Sequence, residues 1–312
     1  MIKDRSWATR SLGRETFEAL AERLPASELW TLLLEVFSRR ASTRTPRNLI
    51  EQWEHDGFTR PAAVGARQLL AIDAQLFAAA SGFEAIELSP LAPLGVCSVV
   101  APTSQRRIVS ALRGTEVVAD PTNVLALECA RRLRQDPAQT VRLATSHRAV
   151  RAQPAPKAPG FAQHFRLFCL ATAGRERKDH GFVVEHLADH IATHLAALDR
   201  LEGDFYSFPD RRLTILATPE RTGAADRLAS AVRGPVVVRG TLEHAYYDGL
   251  RFTLTAGADD GSGFPLVDGG AFTWLGRLTS NQRLAFVASG FGTQMAAARF
   301  RVRSLEPTSP ES

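Results

Sequence analysis

The sequence predicts an α+β fold, in which an antiparallel sheet is flanked by helices and preceded by a helical extension. Strand candidates occur in pairs, and Gly114-Thr115 has the composition of a hairpin turn between two of them. Amphipathic helices stand between such hairpins, as in α+β folds with an antiparallel sheet. The 312 residues are 45% hydrophobic and 23% charged, the composition of a globular chain with a large core.

Several protein classes are excluded by composition. There is no apolar run of about eighteen residues, so we expect no membrane span. The N-terminus lacks the apolar stretch of a secretory signal. Three scattered cysteines, Cys97, Cys129 and Cys169, predict neither disulfides nor a zinc site, and a cytoplasmic location is expected. The Arg-rich, Lys-poor composition suggests a bacterial source, and the net charge of +5 is compatible with anionic ligands.

Residues 1–60 are predicted to form a helical extension. Apolar residues recur at helical spacing over 12–40, with a break at Pro25, and Thr45-Pro46 opens a third helix. Two interpretations are open, a DNA-reading element or a helical prefix packed on the main domain, and the need of its apolar residues for packing favours the prefix. The main domain is predicted over 61–303 and a disordered tail over 304–312.

The main domain contains helix and strand signals in irregular order. Helices are predicted over 62–80, 123–134, 181–201 and 292–300. Strands are predicted over 83–88, 108–113, 116–119, 140–152, 164–172, 212–217, 236–239, 251–256, 265–267 and 284–288. The proline-rich segment 153–160 is predicted to be the tip of a long hairpin.

No nucleotide-binding loop, nucleophile elbow or metalloprotease motif is present. Arg148 lies in mid-strand among apolar residues, where it either meets an anionic ligand or faces solvent. Tyr246-Tyr247 precedes a strand and either lines a pocket or packs in a turn. Gly269-Gly270 suggests a close backbone approach. Three histidines share one face of a helix, but without acidic partners they predict no metal site; these are His186, His190 and His194.

The order of six segments resembles class II aminoacyl-tRNA synthetases, and among them histidyl-tRNA synthetases. A helix followed by GFEAIELSPLAPLG resembles the first class II motif, which ends at a proline, here Pro90. The hairpin RRIVSALRGTEVVADPTNVLALECARR resembles a histidyl-tRNA synthetase hairpin whose Arg-Pro-Glu-Gly-Thr turn is here Ala119-Asp120-Pro121-Thr122. The second class II motif is resembled by the segment SHRAVRAQPAPKAPGFAQHFRLFCLATAG.

The remaining three segments follow in the expected order. LEHAYYDGLRFTL resembles the histidine-pocket loop, VDGGAFTWLGRL the Gly-Gly-Arg-Tyr-Asp segment, and AFVASGFGTQMAAARF the third motif. The resemblance covers about residues 62–300 and implies a class II synthetase-like core. It also implies a homodimer formed through the first motif, and a pocket that binds an amino acid. The ligand-binding residues it implies are Asp120, Thr122, Arg148, Tyr246, Tyr247, Gly269 and Gly270.

The sequence departs from the family where ATP would bind. Arg148 matches the second-motif arginine that holds the α-phosphate, but the glutamate two residues later is Val150. The third-motif arginine, which grips the γ-phosphate, is Gln294, and the arginine of the Gly-Gly-Arg segment is Ala271. Activation of an amino acid needs such cationic contacts. We therefore assign no catalytic residue and no certain cofactor; Mg-ATP is the one cofactor that the resemblance would supply.

The layout also resembles a histidyl-tRNA synthetase paralogue, the regulatory subunit of ATP phosphoribosyltransferase. Only residues 301–312 follow the third motif, too few for an anticodon-reading domain, so tRNA charging is not expected. The preferred hypothesis is a non-catalytic protein that binds an amino acid or similar ligand, regulates a partner enzyme, or both. Two alternatives stay open: an amino-acid-adenylating enzyme that acts without tRNA, and a nucleic-acid-binding module that uses the N-terminal arginines and the basic segment 106–166.

Overall fold

A computed structural model describes residues 7–202, 206–234, 236–243, 246–257 and 263–302. The helices in these ranges are α1 (Trp7–Leu12), α2 (Arg14–Glu18), α3 (Ala26–Ser42), α4 (Pro46–His55), α5 (Ala66–Ala79), α6 (Pro121–Gln135), α7 (Gly181–Glu202), α8 (Thr222–Ala231), α9 (Trp274–Thr279) and α10 (Thr293–Arg299). The strands are β1 (Glu84–Ala85), β2 (Leu91–Pro93), β3 (Ser110–Ala111), β4 (Thr115–Val117), β5 (Val141–Val150), β6 (His164–Arg175), β7 (Arg212–Ala217), β8 (Val236–Thr241), β9 (Leu250–Gly257), β10 (Gly263–Phe272) and β11 (Leu284–Phe291).

One sheet of eight strands organises the core, in the order β1-β5-β6-β11-β10-β9-β7-β8. Its six central strands pair antiparallel, which confirms the predicted fold class. The two edge strands, β1 and β8, pair in parallel with their neighbours, so the sheet is mixed rather than wholly antiparallel. A small second sheet has the order β2-β4-β3.

The two faces of the large sheet pack against different helices. We call one the cavity face: α6 and α9 cover it, and Leu143, Cys169 and Phe272 point from it. The other, the α7 face, is covered by α5, α7 and α8 and carries Phe168 and Val287. Alternation along each strand assigns every side chain to one face, because successive residues of a strand point in opposite directions.

The helix starts agree with the capping signals in the sequence. The Thr45 hydroxyl accepts the backbone N–H of Asn48, and Pro46 occupies the first turn of α4, as predicted. In the same way Asp120 caps α6 ahead of Pro121. Helix α5 begins at Ala66, four residues later than expected. Helix α8 was not predicted, since its sequence TGAADRLASA has a weak apolar stripe.

The N-terminal helices α1 to α4 contain no buried residue. Their large apolar side chains include Phe37 and Trp53, which are 59% and 48% exposed. Trp30 of α3 approaches Gly114 in the turn between β3 and β4, which ties the extension to the second sheet. The domain boundary at residue 60 stays a prediction, and the expected tail at 304–312 lies outside the described residues.

Candidate functional site

A cavity of about 530 Å³ lies over the cavity face, between α6, the loop after β5 and the N-terminal end of α10. Its polar lining residues come from six separate segments, which the sheet brings together. They are Asp120, Thr122, Arg151, Gln153, Arg166, Tyr246, Tyr247, Arg251, Asp268, Ser289 and Gln294. The volume suits a small metabolite, since ligand pockets commonly measure about 300–1,000 Å³.

Asp120 supplies an oriented carboxylate at the start of α6. Its Oδ1 atom accepts the Thr122 backbone N–H at 3.0 Å and the Thr122 hydroxyl at 2.8 Å. These two bonds fix the carboxylate and leave Oδ2 toward Arg151, whose Nη2 atom is 3.9 Å away. That separation is an ion pair without a direct hydrogen bond, because N–H···O bonds to carboxylates are shorter than about 3.2 Å.

Arg151 follows β5 and is held by two contacts besides Asp120. Its Nε atom donates to the Ala119 carbonyl at 3.1 Å, and its guanidinium lies 4.9 Å from the centre of the Phe165 ring. A guanidinium fixed in this way has N–H groups left for an anionic ligand.

The two tyrosines form an aromatic wall with Phe272 and Trp274. The rings of Tyr246 and Tyr247 meet edge to face, with their centres 5.0 Å apart, and Phe272 contacts both. Burial raises the pKa of each tyrosine hydroxyl, so both stay protonated and act as neutral hydrogen-bonding groups. Among the described residues, the Tyr246 hydroxyl has no hydrogen-bond partner.

Tyr247, Arg251 and Asp268 form a second polar group at the cavity. Arg251 donates twice to Asp268, from Nε to Oδ1 at 3.0 Å and from Nη2 to Oδ2 at 2.9 Å. The Tyr247 hydroxyl donates to Oδ1 at 2.9 Å. The guanidinium also lies 5.3 Å from the centre of the Tyr247 ring. Hydrogen bonding to Asp268 raises the pKa of Arg251 above its ordinary value, so the guanidinium stays charged.

The two glycines of β10 admit a close neighbour on each side of the sheet. A Cβ atom on Gly270 would lie 2.6 Å from Cδ1 of Tyr247, so this glycine lets the ring rest on the cavity face. A Cβ atom on Gly269 would lie 2.6 Å from Cβ of Ser289. The close backbone approach expected from the sequence is therefore present, and a neighbouring side chain fills it in both cases.

The structure brings five of the seven predicted ligand-binding residues to the cavity: Asp120, Thr122, Tyr246, Tyr247 and Gly269. Gly270 lies beneath Tyr247 and is not among the lining residues. Whether any of them binds a ligand stays a prediction.

Arg148 does not line the cavity, contrary to the expected position, and its role as a ligand-binding residue stays a prediction. It pairs across the strands with Arg166, on the same face as Ser146, and is not among the residues that line the cavity. Its Nη1 atom instead hydrogen-bonds Nδ1 of His164 at 2.9 Å and Oε1 of Gln294 at 3.4 Å. The arginine of this segment that lines the cavity is Arg151, three residues further on.

At three positions the sequence departs from the family's ATP site, and two of them, Val150 and Ala271, also lie outside the cavity lining. Val150 shares the face of Arg148, and the lining residue two positions after Arg151 is Gln153, which is neutral like the expected replacement. Ala271 is 1% exposed and packs in the core on the α7 face. Gln294 does line the cavity, as expected.

The cations at the cavity do not fit a triphosphate. Arg251 is paired with Asp268. The side chain of Arg166 turns to the α7 face, where its Nε atom lies 2.7 Å from Asp73 Oδ2. Among the described residues of the lining, only the loose pair of Arg151 and Asp120 is therefore open to exchange. Arg299 on α10 donates to the Pro159 carbonyl and lies 3.5 Å from the Phe264 ring centre. Each arginine of the lining has a carboxylate, which leaves no surplus positive charge for the phosphates of ATP.

The three histidines of α7 are part of the core. His190 bonds Thr172 at 2.9 Å and Ser289 at 3.0 Å, and His194 bonds Ser289 at 2.8 Å. Burial lowers the pKa of all three imidazoles, that of His194 to about 3, so they are neutral. In the described part of the chain no cluster of three His, Cys, Asp or Glu side chains is arranged to hold a metal. In the same ranges no helix is long and apolar enough to cross a membrane.

Sequence reasoning missed Arg151 and Arg251 as site residues, and it used Asp268 only to mark a glycine pair. For Arg251 a signal was available in the sequence, because this charged residue stands between the apolar Leu250 and Phe252 of a strand. The partner of Arg251 is seventeen residues away and is identified by strand pairing, not by local sequence.

Comparison with known proteins gives matches in structure alone. No protein-family model and no characterised protein sequence matches the chain. An ATP phosphoribosyltransferase regulatory subunit/histidyl-tRNA synthetase from Bacillus halodurans is similar with a TM-score of 0.56 and 14% identity, covering 76% of this chain and 82% of that one. Histidyl-tRNA synthetase from Staphylococcus aureus gives 0.56 and 12%, covering 74% of this chain and 64% of that one.

A putative threonyl-tRNA synthetase from Aeropyrum pernix is similar with a TM-score of 0.61 and 12% identity. The match covers 74% of this chain and 58% of that protein. The chain thus spans under two thirds of the two synthetases and most of the regulatory-subunit-like protein. Identities of this size establish the fold and no activity. The chain has the class II synthetase-like fold.

Proposed function

We propose that this chain is a non-catalytic, histidyl-tRNA-synthetase-like protein that binds an amino acid or a similar zwitterion in the cavity. The observation that supports this proposal most directly is the ion pair of Asp120 and Arg151, in which the two side chains are not hydrogen-bonded to each other. The Oδ2 atom of Asp120 is open to an ammonium group, and the Arg151 guanidinium is open to a carboxylate. Because their 3.9 Å separation is not a hydrogen bond, a ligand gains two charge-assisted bonds by binding there.

The balance of charge supports a zwitterion over a nucleotide. Arginines and carboxylates are equal in number in the two pairs on the cavity face, Arg151–Asp120 and Arg251–Asp268. A ligand without net charge leaves this balance intact, whereas Mg-ATP brings net negative charge to a site with no cation to spare. The neutral Gln294 and Gln153 in the same lining support the proposal that the chain does not form an adenylate.

The proposal includes a regulatory role toward a partner enzyme. Its support is the structural similarity to a protein described as a regulatory subunit of ATP phosphoribosyltransferase as well as a histidyl-tRNA synthetase. We place the chain in the cytoplasm, consistent with three buried cysteines that are all free thiols.

Titration calorimetry with the twenty amino acids tests ligand binding on the full chain. We expect one chemical group of them to bind, and Asp120→Asn to weaken that binding about tenfold to more than a hundredfold, since a hydrogen bond to a charged group contributes about 1.5–3 kcal/mol. Asp226→Asn is the matched control, because Asp226 lies on α8 in an exposed ion pair with Arg239. Equal affinities of the two variants would contradict the assignment of Asp120.

Amino-acid-dependent pyrophosphate exchange tests the absence of catalysis. We expect no exchange above background with any amino acid that binds. Clear exchange would replace the proposal by the amino-acid-adenylating enzyme.

We also propose a symmetric homodimer through α5 and the segment that ends at Pro90. Leu70 on α5 is apolar and 61% exposed, as expected for a residue that a second copy covers. Sedimentation velocity of the wild type at micromolar concentration should show a dimer, and Leu70→Asp should shift it toward monomer. A monomeric wild type would refute the dimer without bearing on ligand binding.

A further inference from the structure

The proposed function assigns the ammonium and carboxylate of a ligand to Asp120 and Arg151. It leaves a second polar group of the cavity unassigned, formed by Tyr247, Arg251 and Asp268 and here called the Asp268 triad. We propose that the Asp268 triad selects an amino acid whose side chain ends in a primary carboxamide, as in glutamine and asparagine. This inference rests on the proposed function and names the class of its ligand.

The triad presents a hydrogen-bond donor beside an acceptor. Arg251 uses Nε and one N–H of Nη2 on Asp268, and a guanidinium has five N–H donors, so the N–H groups of Nη1 and the second N–H of Nη2 are left. The Tyr247 hydroxyl also bonds Arg251, and the remaining N–H groups are open to a ligand. Asp268 is 43% exposed, and its Oδ2 accepts one bond only, so a lone pair is available next to the Nη2 donor.

A carboxamide matches this arrangement. It carries a carbonyl acceptor and an NH₂ donor in one plane, and it pairs in two bonds with a neighbouring donor and acceptor. Asparagine and glutamine side chains use the same pair of groups to bind the edge of adenine. The carbonyl would accept from Arg251 while the NH₂ group donates to Asp268.

Charge disfavours the acidic and basic relatives of such a ligand. The side chains of Arg251 and Asp268 neutralise each other, so a neutral group binds without a counter-ion. A carboxylate in place of the amide would be repelled by Asp268, and it has no donor for that acceptor. An aliphatic side chain would cover the open N–H groups of Arg251 and the open lone pair of Asp268 without bonding to them, which costs free energy.

The triad and Asp120 line the same cavity of about 530 Å³. The Tyr247 hydroxyl bonds Asp268 directly. Tyr246 and Phe272 pack against the Tyr247 ring and supply an apolar wall beside the triad.

Titration calorimetry of the full chain with L-glutamine, L-asparagine, L-glutamate, L-histidine and L-leucine tests the inference. We expect one of the two amides to bind at least tenfold more tightly than each of the other three. Asp268→Asn keeps the shape of the side chain and replaces an acceptor by a donor, and we expect it to reduce the preference for the amide over glutamate at least tenfold. Asp226→Asn should leave the preference unchanged, and thermal unfolding of each variant reports that it is folded.

The outcomes separate the two proposals. If glutamate, histidine or leucine binds as tightly as the amides, the carboxamide inference is overturned and the proposed function stands. If none of the twenty amino acids binds, the proposed function fails and the inference fails with it. Unchanged selectivity in folded Asp268→Asn would also overturn the role of the triad. If that variant does not fold, the affinities of the wild-type protein for the five amino acids decide whether the carboxamide inference holds.

Discussion

The ring of Tyr247 rests on the backbone of Gly270, in space that a Cβ atom would occupy. That atom would lie 2.6 Å from Cδ1 of the ring, 3.1 Å from the Cα atom of Arg251, and against the Leu250 carbonyl. The glycine therefore positions both Tyr247 and the strand that carries Arg251. Its contribution to the site is indirect, through the place it leaves for the ring.

Gly270→Ala should displace Tyr247 and destabilise the protein. Overpacking of a filled core costs about 1–3 kcal/mol, and part of the strain falls on backbone that cannot move freely. Urea unfolding measures the free energy, and calorimetry measures the accompanying loss of ligand affinity. Gly263→Ala is the control on the same strand, since a Cβ atom there meets nothing within 4 Å. Equal unfolding midpoints for the two variants would show that the ring is not held by this contact.

Local signals explain why the start of α4 was predicted and the face of Arg148 was not. Thr45-Pro46 acts within one turn of chain, so its capping can be recognised in the sequence. The same signal at Asp120-Pro121 begins α6 two residues before the predicted start at Asn123. Which face a strand residue occupies depends on distant partners. Arg148 and Arg151 are three residues apart and so leave β5 on opposite sides, a choice fixed by packing against α5 and α6.

The pairing of Arg251 with Asp268 could not be predicted from the sequence for a related reason. Strands β9 and β10 pair antiparallel, but a bulge between Pro265 and Val267 shifts the register by one residue. A slip of one residue in strand pairing reverses the face of every side chain, so the pairing could not be deduced from alternation alone. The resemblance in segment order did predict the fold, because it depends on the sequence of elements and not on their register.

Acidification should destabilise the protein through its buried histidines. Burial lowers the pKa of His194 to about 3, and burial next to His194 lowers the pKa of His190 well below its ordinary value. The folded state holds both in the neutral form. Their stabilisation is therefore complete above about pH 6.5, the ordinary pKa in the unfolded chain, and is lost as the pH falls toward 3.

The expected slope is up to about 1.4 kcal/mol per pH unit for each histidine in that window. Urea unfolding at pH 7.5, 5.5 and 4.5 measures it. His194→Gln, whose amide can still bond Ser289, should have a smaller slope, whereas His55→Gln on the exposed surface of α4 should match the wild type. Identical slopes in all three proteins would contradict the assignment.

The buried carboxylate of Glu116 should be essential to the second sheet. It accepts the backbone N–H groups of Gly95 and Cys97 at 2.8 and 3.0 Å, and the amide of Gln105 at 2.8 Å. Glu116→Gln turns one acceptor into a donor that faces another donor, which should cost about 1.5–3 kcal/mol of stability. Urea unfolding measures the loss. The exposed Glu35→Gln is the control, and a midpoint as high as that of the control would refute the role.

The Gln294 position should make the affinity for Mg-ATP low. In the resembled family an arginine at this position grips the γ-phosphate, and here the Gln294 amide oxygen accepts from Arg148 instead. Loss of one charged hydrogen bond costs about 1.5–3 kcal/mol, which weakens binding about tenfold to more than a hundredfold. Titration calorimetry should therefore show no binding of Mg-ATP in the micromolar range. Micromolar binding, abolished by Arg151→Gln but retained in Arg47→Gln on the exposed surface of α4, would show that Arg151 holds the phosphates and would favour the amino-acid-adenylating enzyme.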